Sequence, residues 1–179
     1  MERTKTLVQK YKITMLFFFS IWLALTIVAP FTIPSGTANN LSGNTVQIKN
    51  WNSIDKMNPF AASIYLLGGM FCTEISDHSY YLNGNQMPFC ARCTGIFIGL
   101  VVGMLIAVIL NPKVKIFLIG LAMVPILIDG GLQLITTYQS TNPLRVATGL
   151  LAGIAVSLYL SNVANIALAP IRAEKINLN

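Results

Sequence analysis

Four long apolar runs dominate the pattern of hydrophobic and polar positions along the chain. They cover residues 13–33, 94–110, 116–135 and 146–168. Each run has the roughly 17 to 25 residues that an α-helix needs to cross the hydrocarbon core of a bilayer. The sequence therefore predicts four transmembrane helices.

A fifth apolar stretch, Pro59–Phe71, is too short to span a bilayer comfortably. Asn58 precedes it as a potential N-cap, and Pro59 suits the first position of a helix. We expect a short re-entrant or interfacial helix here. The predicted fold is an all-α integral membrane protein with four transmembrane helices plus this short one.

The composition agrees with this class of protein. Of the 179 residues, 54% are hydrophobic and only 10% are charged, which is too apolar for an ordinary water-soluble domain. The net charge of +6 comes from short basic clusters beside apolar runs, without interleaved aromatic residues. This pattern indicates membrane topology and no binding of nucleic acid.

The basic residues also predict an orientation, because Lys and Arg of short loops favour the cytoplasmic side. With four spans, one side of the membrane collects most of them: Arg3, Lys5, Lys10, Lys12, Lys113, Lys115, Arg172 and Lys175. The other side keeps Lys49, Lys56, Arg92 and Arg145. We therefore expect a multi-pass protein of the cell membrane with both termini in the cytoplasm and the cysteine loop outside.

The resulting organisation has five parts along the chain. They are a cytoplasmic N-terminus (1–12), a transmembrane anchor (13–33), an outer polar loop (34–58), a membrane domain (59–168) with an outer Cys/His loop at 72–93, and a cytoplasmic tail (169–179). A cleaved signal peptide is the alternative for the first run. The retained anchor is favoured, because the apolar core exceeds the roughly 7 to 15 residues that signal peptides use.

All three cysteines lie in one loop, together with the only histidine: Cys72, His78, Cys90 and Cys93. Three interpretations are open. The four side chains suit a tetrahedral site for a metal such as Zn or Cu. Cys90 and Cys93 alternatively form a redox-active disulfide at the start of a helix, where the dipole stabilises a thiolate. The third interpretation is a structural disulfide between Cys72 and one of the pair.

Three segments carry a resemblance to a known family: "HSYYLNGNQMPFCARCTGIFIG", "PILIDGGLQ" and "STNPLRVATGLLAG". The chain resembles, over about residues 57–153, small prokaryotic membrane proteins of unknown function with a C-A-R-C-T-G motif (domain of unknown function two thousand and eighty-five). The resemblance implies a multi-span membrane domain and no particular activity. Where that family has histidine after its first cysteine, this chain has Thr73, and where it has arginine before S-F, this chain has His78.

Ionisable and amide side chains inside the predicted spans are few. Asp129 and Gln133 lie one turn apart on the same face of the third span. An ionisable residue at this depth is costly and normally faces a partner. We expect a polar cluster of Arg92, Asp129, Gln133, Asn142 and Arg145. Its role is either a buried ion pair that fixes helix order or the handling of protons or a ligand.

Glycines recur at every fourth position in two of the spans. They are Gly95, Gly99 and Gly103 in the second span, and Gly149 and Gly153 in the fourth. Small residues at this spacing let helices approach closely in lipid. We expect these faces to pack against each other or against other membrane subunits.

The leading functional hypothesis is a non-catalytic accessory or assembly subunit of a larger membrane complex, such as an oxidoreductase. Nearly all of the mass lies in the lipid bilayer, and no soluble catalytic domain is predicted. The alternatives are a thiol–disulfide oxidoreductase coupled to quinone, with Cys90 and Cys93 as catalytic residues, or a stand-alone metal-binding membrane protein. Other cofactors are not indicated by any motif.

Overall fold

The computed structural model describes residues 2–41, 51–72 and 75–167. Within these ranges the chain forms six α-helices and one β-hairpin. The helices are α1 (Glu2–Val28), α2 (Trp51–Ile54), α3 (Pro59–Phe71), α4 (Ala91–Ile109), α5 (Ile116–Ile135) and α6 (Asn142–Ala167). The hairpin pairs β1 (Tyr81–Leu82) with β2 (Asn85–Gln86) in antiparallel register.

Four of the helices are long and apolar enough to cross a membrane: Thr6–Phe31, Ala91–Ile109, Ile116–Ile135 and Asn142–Ala167. The first of these includes a 3-10 turn, Ala29–Phe31, that follows α1. The predicted fold class is confirmed. The short helix α3 has the predicted bounds, and its N-cap Asn58 accepts a hydrogen bond from the Ala61 amide at 2.9 Å. Residues 42–50 of the polar loop, Leu168 and the predicted tail lie outside the described residues.

The first helix begins eleven residues before the predicted start of the first span, at Glu2 rather than at residue 13. The prediction stopped at the basic residues, since exposed charges normally lie beyond the hydrocarbon core. Lys12, however, is fully buried against the last turn of α4. Its ammonium group donates to the Ala107 carbonyl at 3.4 Å and to the side chain of Asn111. A cation is favourable at this helix end, where backbone carbonyls lack intrahelical partners.

Helices α4 and α6 run parallel and form the most extensive contact of the bundle. A Cβ atom added to Gly95 would lie 2.5 Å from the Val146 carbonyl oxygen, and one added to Gly99 would lie 2.9 Å from Gly153 Cα. The two glycine faces therefore pack against each other, as small residues allow in membrane helices. Of the two predicted arrangements, packing of the faces against each other is the one observed within the chain.

Helix α1 packs mainly on α4, and α5 packs mainly on α6. The bundle thus has two ends. One end, here called the cysteine end, holds the start of α4, the start of α6, the end of α5, the hairpin and α3. A buried apolar cluster at this end includes Ile33, Leu41, Tyr65 and Phe89, together with Cys72 and Cys90.

Candidate functional site

The three cysteines converge at the cysteine end of the bundle. Their sulfur atoms all lie within 4.8 Å of one another. The Cys93 sulfur is 3.6 Å from that of Cys90 and 3.7 Å from that of Cys72. None of the three is in a disulfide in this structure. Within the described ranges, this is the one group of three or more Cys, His, Asp or Glu side chains close enough to hold a metal ion.

Two helix ends bring the thiols together. Helix α3 ends at Phe71, and Cys72 follows it with extended backbone angles. Cys90 is the N-cap of α4, and Cys93 lies in the first turn of that helix. The C-x-x-C spacing therefore places two sulfurs on one side of the helix start. The Cys90 amide donates to the Cys72 sulfur at 3.3 Å, which fixes the third thiol beside them.

The separations between sulfurs match those of a thiolate metal site. A Zn–S bond of about 2.3 Å in a tetrahedron puts neighbouring sulfurs roughly 3.8 Å apart. A disulfide would need a sulfur separation of about 2.05 Å. The observed 3.6 and 3.7 Å are close to the metal value. Two of the three separations thus match the edges of a tetrahedral thiolate site, and the third, between Cys72 and Cys90, is within 4.8 Å.

The site is shielded by apolar groups. Cys72 and Cys90 are buried, and Cys93 is partly exposed. Trp22 of α1, Phe89 and Phe97 form three edge-to-face ring contacts beside Cys93, with centroid separations of 5.1 to 6.0 Å. These rings and Cys93 belong to or pack against the same buried cluster as Cys72 and Cys90.

Local hydrogen bonds favour a thiolate at Cys90. The thiol of Cys72, then the thiol of Cys93 and the backbone amides of Cys93 and Arg92, lower the pKa of Cys90 against the opposing effect of burial. The start of α4 acts in the same direction through the helix dipole. Metal ions and disulfides both react with the thiolate form, so this property suits either kind of chemistry.

His78, predicted as the fourth ligand, is not part of this group. It ends a 3-10 turn, Ser76–His78, and its Nε2 atom lies 3.0 Å from the Gln139 side-chain oxygen, in the loop between α5 and α6. Partial burial, followed by the positive charge of Arg145, lowers the pKa of His78. The structure therefore brings together three of the four predicted ligands. Thr73, the other departure from the family pattern, lies outside the described residues.

The predicted polar cluster lies next to the cysteines. Arg92, between Cys90 and Cys93, forms an ion pair with Asp129 and donates to Gln133 Oε1 at 3.0 Å. Arg145 is buried, and its Nε donates to the Ser140 carbonyl oxygen at 3.1 Å. Asn142 instead donates to the Ser79 carbonyl oxygen at 3.5 Å. Arg92, Asp129 and Gln133 thus contact one another, whereas Asn142 bonds elsewhere.

Several residues of this region were missed by the sequence reasoning. Ser140 accepts from Gln133 Nε2 at 2.8 Å and links α5 to the start of α6. Asn85 and Gln86 of the hairpin are fully buried and accept hydrogen bonds from the Ala38 and Leu41 amides. These bonds hold the segment after α1 over the cysteine end. Serine and amide side chains are common in polar loops, so their types carried no signal.

Comparison with known proteins places the chain in a family. Residues 72–159 match the family model described as predicted membrane protein (DUF2085). The uncharacterized protein MJ1492 of Methanocaldococcus jannaschii is 30% identical over 158 residues, which cover 85% of this chain and 91% of that protein. An uncharacterized protein of Methanothermobacter thermautotrophicus is 34% identical over 90 residues, covering 49% of this chain and 81% of that one. No solved structure matches.

This chain therefore belongs to the DUF2085 family of predicted membrane proteins, as its resemblance to that family predicted. The matched residues contain the three cysteines, the Arg92–Asp129 ion pair and Arg145. The family description adds no activity to the site.

Proposed function

We propose that the protein is a metal-binding membrane protein whose centre consists of Cys72, Cys90 and Cys93. The observation that carries this proposal is the convergence of three cysteine side chains, two of them buried, at separations that suit metal–sulfur bonds. Thiolates select soft or borderline cations, so the ion is Zn²⁺ or Cu⁺.

The number of protein ligands determines whether the bound ion keeps an open coordination position. Three thiolates satisfy a three-coordinate soft ion, or leave one position of a tetrahedral ion for water or another molecule. His78 would have to leave Gln139 to fill that position. We propose that the centre faces the outside of the cell membrane, as the distribution of basic residues predicts.

Titration of the purified protein in detergent with Cd²⁺ tests the proposal. Cd²⁺ is a probe for thiolate sites, because its bonds to sulfur absorb in the ultraviolet. We expect one Cd²⁺ per chain, and a loss of at least tenfold in affinity for Cys93→Ser, since one of three ligands is removed. His78→Ala is the matched control from the same loop and should bind like the wild type.

Two other results would contradict the proposal. If the reduced wild-type protein shows no Cd²⁺–thiolate absorption, the thiols are not a metal centre. If the protein taken directly from its membrane is two hydrogens lighter than the reduced chain, two thiols form a disulfide in the cell. That result favours the second candidate, a thiol–disulfide oxidoreductase, which the position of Cys90 and Cys93 at the start of α4 also supports.

The accessory-subunit role inferred from the sequence has less support. Part of its basis was the glycine faces as contacts for other subunits, and those faces pack inside the chain. Metal binding does not require a second subunit, because all three proposed ligands come from one chain. We therefore propose metal binding as the function of the site and assembly into a larger complex as a separate question for native mass spectrometry.

A further inference from the structure

Arg145 is the most deeply buried charged side chain at the cysteine end. Only 2% of it is exposed, and its Nε atom donates to the Ser140 carbonyl oxygen at 3.1 Å. Its Nη2 atom is also buried and has no hydrogen-bond partner among the residues that the structure describes. A buried guanidinium without a partner for its charge is strongly unfavourable.

The neighbouring ion pair does not neutralise Arg145. Asp129 is bound by Arg92. The other polar neighbours of this pair, Gln133 and Ser140, are uncharged. Among the described residues of this cluster, two arginines thus face one carboxylate, which is an excess of one positive charge.

The position of Arg145 brings this excess charge close to the thiols. Arg145 lies in the first turn of α6, which packs beside the first turn of α4. The next residue, Val146, contacts Gly95, and Gly149 one turn later contacts the Arg92 carbonyl oxygen. Cys90 and Cys93 lie at the same level, at the N-cap and in the first turn of α4. Arg145 also precedes Gly149 by one helical turn, so both residues lie on the face of α6 that packs against the first turn of α4.

We propose that Arg145 provides the counter-charge of the metal–thiolate centre. Three thiolates and a divalent cation carry a net charge of minus one, and the single excess guanidinium brings the total to zero. A monovalent cation would leave one negative charge in this apolar region. The centre therefore suits a divalent thiophilic ion such as Zn²⁺. This inference rests on the proposed function and adds to it the class of ion and a positioning role for Arg145.

The test compares Cd²⁺ binding by the wild type, Arg145→Met and Arg145→Lys in detergent. Removal of a charge this close to a buried centre should weaken Cd²⁺ binding on the order of tenfold. The lysine variant keeps the charge and should bind within about threefold of the wild type. The matched control is Lys12→Met, which removes a buried cation at the other end of the bundle and should leave Cd²⁺ affinity unchanged.

A second variant changes the net charge of the cluster in the opposite direction to Arg145→Met. Asp129→Asn preserves the size of the side chain and raises the net charge of the cluster by one. It should strengthen Cd²⁺ binding several-fold. The side-chain oxygen of Asn can still accept a hydrogen bond from Arg92, so this variant should lose less stability than Asp129→Leu and gives an answer even if Arg145→Met does not fold.

The outcomes separate the two proposals. Weaker binding by Arg145→Met, or stronger binding by Asp129→Asn, with the control unchanged, supports the counter-charge. If the wild type binds Cd²⁺ and every folded variant binds within twofold of it, the counter-charge is overturned and the metal centre stands. If the wild type binds no Cd²⁺, both proposals fall.

Discussion

At the scale of single residues, the ion pair between Arg92 and Asp129 is the clearest polar contact between helices α4 and α5. Asp129 is 5% exposed, and its second carboxylate oxygen has no partner among the described residues. The charge of each partner is tolerated because the other is present. A buried pair of this kind is sensitive to the loss of one member and much less to the loss of both.

We predict that Asp129→Leu lowers the stability by about 3 kcal/mol, the lower end of the range for buried pairs, because it leaves the partly buried Arg92 without its partner. The double variant Arg92→Met with Asp129→Leu should recover much of this loss. Thermal unfolding of the purified variants in detergent measures the effect. A double variant as unstable as the sum of the two single variants would show that the pair is not energetically coupled.

The residue types of the candidate site could be predicted from the sequence, but the partners only in part. Cysteines and an aspartate stand out in an apolar chain, and the pairing of Asp129 with Arg92 follows from the cost of an isolated charge. The position of His78 could not be derived, because it depends on how the loop after Cys72 folds. A 3-10 turn places His78 beside Gln139, a residue 61 positions later, and away from the thiols.

At the scale of elements, the contact between α4 and α6 depends on glycine. A Cβ atom on Gly99 would lie 2.9 Å from Gly153 Cα and 3.0 Å from the Ile154 amide nitrogen. These neighbours are backbone atoms, so they give way only if the helices separate. Gly120 of α5 is helical too, yet nothing lies within 4 Å of an added Cβ.

We predict that Gly99→Ala lowers the stability on the order of 2 kcal/mol, because overpacking outweighs the better helix propensity of alanine. Gly120→Ala is the matched control and should be neutral or stabilising by up to about 1 kcal/mol. Thermal unfolding in the same detergent compares them. Equal melting temperatures for the two variants would contradict close backbone packing of α4 against α6 at Gly99.

The elements themselves could largely be predicted, since an apolar run of membrane length leaves few alternatives. The hairpin was not predicted. Its turn is Asn83–Gly84, with φ of 51° and 69°, and an Asn-Gly pair is the usual signal for such a two-residue turn. The strands are only two residues long, which is too short for an alternating pattern to show.

At the scale of the whole molecule, both ends of the bundle carry polar contacts, but of different kinds. The cysteine end has the thiols, two arginines and the hairpin. The opposite end has Lys12 and Asn111, with Asn162 donating to the Val114 carbonyl at 2.7 Å and Asn165 donating to the Asn111 side chain at 3.2 Å. At each end, hydrogen bonds of polar side chains thus link neighbouring elements. Polar residues are expected there because the helices leave the hydrocarbon core of the bilayer at these ends.

The direction of the molecule in the membrane is the last prediction. Lys113 and Lys115 lie in the loop between α4 and α5, at the end opposite the cysteines, and the bias of basic residues puts this end in the cytoplasm. Tyr81 of the hairpin is 45% exposed at the cysteine end, and Lys113 is exposed at the other. In intact cells, an impermeant maleimide should therefore label Tyr81→Cys, whereas Lys113→Cys should react only after permeabilisation.

The wild type, labelled in parallel, measures the reaction of the three native thiols, two of which are buried. Labelling of Lys113→Cys but not of Tyr81→Cys in intact cells would reverse the orientation and place the cysteine centre on the cytoplasmic side. The difference matters for the proposed chemistry, because thiols persist in the reducing cytoplasm, while outside the cell they form disulfides unless a metal or burial protects them. An outward orientation therefore makes a bound ion more important for protecting these three cysteines from oxidation.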